Sequence, residues 1–136
     1  IKTVKGNGSR ILYVFSDPDC PFCKRLEVSL KNLTDVTIYT FLMPLEQLHP
    51  DAKRKANNVW CSPLQSLAWD ALMLEGKEAP NGNCQTPVER SIALGNKLGV
   101  TGTPTMFSAD GRKRAGAADA QTISTWLDQA KKVTQQ

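Results

Sequence analysis

The period of apolar and polar positions changes several times along this chain, and each change marks an element. Residues 1–10 carry Lys, Gly, Asn and Ser with little apolar content, the composition of a connector or a fraying edge strand. Ile11-Leu12-Tyr13-Val14-Phe15 is almost wholly apolar and rich in β-formers, which predicts a strand buried on both faces. Ser16-Asp17-Pro18-Asp19 breaks it. From Pro21 onward Phe22, Leu26, Leu30 and Leu33 recur at helical spacing, so a helix follows directly. Val36 to Met43 alternates and is again β-rich, a second strand. Strand, helix and strand within about 33 residues make a βαβ unit, for which parallel pairing is expected.

The middle of the chain, about 49–98, has helical composition. His49-Pro50-Asp51 reads as a helix start; Ala52, Ala56, Val59 and Trp60 then share one face, and Leu64, Leu67, Ala68, Ala71 and Leu72 another. Gly76 to Asn83 is a loop. Thr86-Pro87-Val88-Glu89 has the form of an N-cap, a proline at the first helical position and an acid in the first turn. That helix should end at Leu98, with Gly99 beyond it. Thr105-Met106-Phe107 predicts a short strand, Ala109-Asp110-Gly111 a turn, and Arg112 to Ala115 a return strand. Asp119 can cap a final helix whose Ile123, Trp126, Leu127 and Ala130 share a face. The order is βαβ, a helical block, then ββα: an α/β sandwich.

Composition narrows the picture. The chain has 136 residues, 40% of them hydrophobic and 22% charged, which suits a folded domain rather than a disordered segment. The longest apolar run is five residues, far from the roughly 18 that cross a bilayer. Residues 1–30 show no secretory-signal pattern. The net charge of +4 is scattered, its densest runs being Lys53-Arg54-Lys55 and Arg112-Lys113-Arg114. Neither has the aromatic platform of a nucleic-acid site, so both read as solvated faces. The lone His49 has no partner in the sequence for metal binding.

The chemistry lies at Cys20-Pro21-Phe22-Cys23, where the first strand ends and the first helix begins. A helix start has unpaired N–H groups and partial positive charge, so it stabilises an anion. Cys20, the more N-terminal and more exposed sulfur, should therefore ionise. A free cysteine near pKa ~8.5 is about 3% thiolate at neutral pH, and sulfurs in such motifs fall to roughly 3.5–7.5. The thiolate would attack a disulfide, and Cys23, one turn behind, would resolve the mixed disulfide. Pro21 suits the first helical position, and Phe22 adds apolar surface at the rim. Asp19 reads as the helix cap, with no proton-transfer role. A zinc site is the competing reading, but Cys61 and Cys84 are single and do not form a second closely spaced pair. Four cysteines allow three disulfide pairings, and the motif favours 20–23 with 61–84.

These features, with Thr103-Pro104 before a strand, resemble the thioredoxin superfamily. The chain looks most like the catalytic domain of the DsbC and DsbG disulfide isomerases. It is carried by Phe15-Ser16-Asp17, the cysteine pair, Trp60-Cys61, Cys84, Ala93-Leu94-Gly95 and Leu98-Gly99-Val100-Thr101-Gly102-Thr103-Pro104. The resemblance implies a thioredoxin fold with a central mixed sheet flanked by helices. Residues 11–136 would be the catalytic domain, with a helical insertion at about 49–98. It also implies that Pro104 is cis and faces the active sulfurs, and that Thr103 offers backbone groups to an extended substrate, with Pro21 and Phe22 beside it. Cys61 and Cys84 would form a structural disulfide, which points to an oxidising compartment and a periplasmic address. Where thioredoxins bury an acid beneath the pair, this chain has Val14.

The functional expectation is a thiol:disulfide interchange protein that isomerises or reduces non-native disulfides of extracytoplasmic proteins by covalent catalysis, without metal or organic cofactor. The resemblance further implies a membrane thiol reductase that keeps the pair reduced, and a homodimer formed through an N-terminal domain not present here. Two alternatives stand beside it. One is a net dithiol oxidase of the same fold; the other is a chaperone-like binding protein with incidental redox activity.

Overall fold

Lys2–Lys5 carry too few apolar side chains for a core strand and instead form β1 at the edge of the sheet. The computed structural model describes the backbone of residues 1–134 and the side chains of residues 1–129. After β1 come β2 (Arg10–Ser16), α1 (Pro21–Lys31), β3 (Val36–Leu42), α2 (Ala52–Trp60), α3 (Gln65–Glu75) and α4 (Val88–Lys97). The chain then forms β4 (Thr105–Ser108), β5 (Lys113–Ala115) and α5 (Ala120–Thr134). The sheet order is β1-β3-β2-β4-β5, with β2 and β3 parallel and every other pairing antiparallel. The central strand β2 thus ends in the middle of the sheet, and α1 starts from its carboxyl end.

Alternation along β2 divides the core. Leu12 and Val14 join Leu26, Leu30, Ile38, Met106, Ile123 and Trp126 in a cluster that buries the inner faces of α1 and α5. Phe15 points the other way, stacking on Phe41 with ring centroids 4.9 Å apart and packing with Met43 and Val100. Ile11 and Tyr13 remain half-buried, so the expectation of a strand buried on both faces fails for the half of β2 farther from α1. Helix α4 lies close against the site-proximal half. A Cβ on Gly95 would stand 2.7 Å from the Met43 Sδ and 3.3 Å from Phe15 Cδ1. This close approach explains a glycine inside that helix.

The helical block forms its own cluster around Ala56, Val59, Trp69, Leu72, Met73 and Val88, and it reaches Cys20 and Cys23. Two expectations are corrected here. Leu64 and Leu67 are exposed while Trp69 faces inward, because α3 presents its Trp69-Leu72-Met73 side to α1 and α2. Thr86 does not cap α4: its hydroxyl donates to Asn57 Oδ1 at 2.6 Å, and Pro87 takes the cap position instead. Phe22 is solvent-exposed, in keeping with its expected place at the rim, and Cys23 and Glu27 occupy the buried stripe of α1 with Leu26 and Leu30. Asp119 does cap α5, accepting from the Thr122 N–H at 2.7 Å. The side chain of Ala130 lies outside the described residues.

A disulfide joins Cys61, at the end of α2, to Cys84, in the loop before α4. The same loop is held by Asn58, whose amide nitrogen donates to Asn81 Oδ1 and whose Oδ1 accepts from the Gly82 N–H. Closing a loop across a sequence separation of 23 should contribute about 3–4 kcal/mol on the chain-entropy model. Replacing both cysteines with serine is therefore expected to lower the melting temperature by about 10 °C or more, as read by thermal denaturation. An unchanged transition would show that the hydrogen bonds of Asn58 hold this loop without the sulfur bridge.

Several charges of the basic runs are engaged in ion pairs. Lys53 contacts Glu46 and Glu89, Arg54 contacts Glu78, and Arg112 contacts Asp110 while lying over the Trp126 ring. Among the described residues no helix is long and apolar enough to cross a membrane.

Candidate active site

Cys20 is itself the N-cap of α1, in extended backbone, and its Sγ accepts the Cys23 N–H at 3.4 Å. A sulfur here does what a Ser or Asp oxygen commonly does, taking up a helix donor that would otherwise lack a partner. Pro21 follows at the first helical position, and no acid lies in the first turn to compete with a charged sulfur. The expected cap, Asp19, is displaced from that role: its Oδ1 pairs with Lys55 Nζ of α2 at 2.7 Å. That bond raises the pKa of the Lys55 ammonium. The turn is organised by Asp17, which the sequence reading left without a task. Its Oδ1 accepts from the Asp19 N–H at 2.8 Å, and its backbone N–H donates to Cys23 Sγ at 3.4 Å.

The two sulfurs differ in setting. Cys20 keeps 6% of its surface and Cys23 none, so the order of exposure is as expected, although Cys20 is far more enclosed than the sequence suggested. Both are free thiols. Burial pushes the Cys23 thiol up to about 12, against the opposing pull of the Asp17 N–H and the nearby Thr103 and Ser16 hydroxyls. Across from α1 the Thr103–Pro104 bond is cis, and the Thr103 carbonyl accepts from the Cys20 thiol at 3.4 Å. Phe22 is exposed at the rim, with the Arg25 guanidinium 5.3 Å from its ring centre. The structure therefore brings Cys20, Cys23 and Thr103 together, with Pro21, Phe22 and Pro104 around them. Cys61 and Cys84 belong to the bridge at the end of α2.

Two features near the pair escaped the sequence reading. His49 Nδ1 lies 2.9 Å from Asp17 Oδ2, so the histidine that looked solitary is a partner of a fully buried carboxylate. Nothing local could have disclosed that contact, because the residues are separated by 32 positions. Glu27 is buried and accepts the Trp69 Nε1–H at 2.9 Å, beside a cavity of about 330 Å³ that Lys5, Lys31 and Asp70 also line. Burial, chiefly, pushes its carboxyl up to about 7; the Trp69 bond opposes the rise, and the negative charge of Asp70 adds to it. Helical spacing did carry this signal, since Glu27 follows Cys23 by four residues on one face.

A dithiol capping the helix that leaves a central parallel strand, with a cis-proline across from it, is the arrangement of the thioredoxin fold class. A family profile described as a thioredoxin-like domain matches residues 1–131, and the chain belongs to that family. It is similar to a crystal structure of a disulfide interchange protein from Neisseria gonorrhoeae. That match has 45% identity and a TM-score of 0.91, covering 95% of this chain and 93% of the other. It is 41% identical over 127 residues to a Bordetella parapertussis protein named probable thiol:disulfide interchange protein DsbC, covering 93% of this chain and 45% of that one. Against the Escherichia coli K12 thiol:disulfide interchange protein DsbC the identity is 28%, covering 91% of this chain and 53% of the relative. The chain thus spans about half the length of the DsbC proteins it matches.

Proposed function

We propose that the chain is the redox domain of a thiol:disulfide interchange protein that reduces or isomerises non-native disulfides in extracytoplasmic proteins. The observation that carries this reading is the asymmetry of the pair. Cys20 sits at a helix cap with residual surface, and Cys23 lies behind it, fully enclosed, where it cannot meet a substrate first. Cys20 attacks a substrate disulfide: its sulfur bonds to one substrate sulfur, and the other leaves with the electron pair and takes a proton from solvent. Cys23 then displaces the captured sulfur. If the substrate re-pairs internally before this happens, the outcome is isomerisation.

Thr103 and Pro104, with Pro21 and Phe22, form the surface on which an extended substrate segment lies, and the Thr103 backbone supplies hydrogen bonds. The similarity to DsbC proteins and the Cys61–Cys84 bridge support a periplasmic location, a membrane thiol reductase that returns the pair to the dithiol, and dimerisation through a further domain. The test is repair of a scrambled, multi-disulfide substrate by the reduced protein. Native activity of the substrate should return well above the rate with small thiols alone. Failure at stoichiometric excess of reduced protein would exclude the reading.

A further inference from the structure

Two hydroxyls at the site have no hydrogen-bond partner. Ser16 is fully buried at the end of β2 with its Oγ unpaired, and the Thr103 Oγ1 is likewise buried and unpaired. Orphaned groups of this kind are rare in folded proteins and call for a reason. Both lie close enough to the Cys23 sulfur to act on it, yet neither makes a hydrogen bond to the neutral thiol. Ser16 adjoins Asp17, whose N–H donates to Cys23 Sγ at 3.4 Å, and Thr103 is held at the pair through its carbonyl, 3.4 Å from Cys20 Sγ. Although burial dominates the behaviour of Cys23, both hydroxyls and the Asp17 N–H act in the other direction, toward the ionised sulfur. A neutral thiol is a weak acceptor and leaves such donors unsatisfied; a thiolate accepts several strong hydrogen bonds.

We propose that the Ser16 hydroxyl, the Thr103 hydroxyl and the Asp17 N–H form a thiolate hole that holds the Cys23 sulfur as an anion while it resolves the mixed disulfide. The inference rests on the interchange reading above and adds to it the groups that drive its second step. In that step the Cys23 proton passes to solvent and the resulting thiolate attacks Cys20 Sγ. The bond between Cys20 and the captured sulfur breaks, and that sulfur leaves with the electron pair and is protonated by solvent. The dithiol is oxidised by two electrons and the captured disulfide reduced by two. The hydroxyls left idle in the dithiol state are then satisfied, so their stabilisation is concentrated where charge develops.

The test separates capture from release. Reduced protein is mixed with excess oxidised glutathione, quenched with acid and read by mass spectrometry. Formation of the glutathione adduct on Cys20 depends on glutathione concentration; its loss to the Cys20–Cys23 disulfide does not. Ser16→Ala should lower the ratio of release rate to capture rate about tenfold, the effect of losing one hydrogen bond to a charged group. Ser16→Thr, which keeps a hydroxyl, should recover the ratio. Thr103→Val should lower it as well, with Thr103→Ser close to the parent. If neither Ser16→Ala nor Thr103→Val changes the ratio while capture proceeds, the thiolate hole is wrong and the interchange reading survives. If both slow the two phases equally, the hole is also wrong. Absence of both the adduct and the Cys20–Cys23 disulfide with the unmutated protein would overturn the interchange reading itself.

Discussion

Cys20→Ala should reduce insulin reduction and scrambled-substrate repair by on the order of a thousandfold or more, to the level of small thiols, while Cys23→Ala should capture substrate and fail to let it go. The difference follows from the two environments. With its thiol pushed up by burial, Cys23 holds its proton at pH 7, and it has no exposed surface. It cannot replace Cys20 as the attacking group. Cys20 stands at the helix cap with Thr103 facing it, and in the Cys23→Ala protein that arrangement persists without a resolving sulfur. Mass spectrometry of the Cys23→Ala protein mixed with a disulfide substrate should therefore show a reductant-sensitive adduct, one per chain. Should Cys20→Ala keep a substantial share of the activity, the assignment of the two roles would be wrong, whatever the fold.

The second large effect concerns stability and centres on Glu27. Its carboxyl titrates near 7 in the folded protein against an ordinary 4.5, so the folded state holds this proton more tightly than the unfolded chain. The stabilisation from the bound proton is fully present below about 4.5 and is lost as pH rises through about 7. A shift of this size corresponds to about 3 kcal/mol lost between pH 5 and pH 8. Glu27→Gln removes the titration while keeping an oxygen that can accept the Trp69 Nε1–H. Denaturant unfolding at a series of pH values should show the parent losing stability across this window and the variant much flatter. At pH 8 the variant should be the more stable by about 2 kcal/mol, since the new amide N–H group is not fully satisfied. Equal pH dependence in the two proteins would mean that Glu27 is ionised in the fold at neutral pH and that water or Lys5 compensates it.

Much of the architecture was legible along the chain because it rests on local preferences. The β-rich run before Ser16, the helical spacing after Pro21, the β-rich run from Val36 and the turn at Asp110-Gly111 each reflect a periodicity that few other conformations share. They place the cysteine pair at a strand-to-helix junction before any packing is considered. Boundaries were less well defined. Thr86 and Asp19 both look like caps, yet each finds a better partner, Asn57 or Lys55, on α2. A capping preference is worth about 1 kcal/mol, and a tertiary hydrogen bond or ion pair of similar strength can redirect it.

The pairing of His49 with Asp17, the choice of Trp69 as the partner of Glu27, and the meeting of Ser16, Cys23 and Thr103 were decided by tertiary structure alone. Each contact joins segments separated by many residues or depends on which side of a helix its neighbours cover. A sequence pattern reports which side chains avoid water. It does not report how deeply the fold encloses a given sulfur or which distant groups stand opposite it, and burial, chiefly, sets whether Cys23 holds its proton. The amino-acid order thus specified a dithiol at a helix start within an α/β sandwich, and packing decided how differently its two sulfurs behave.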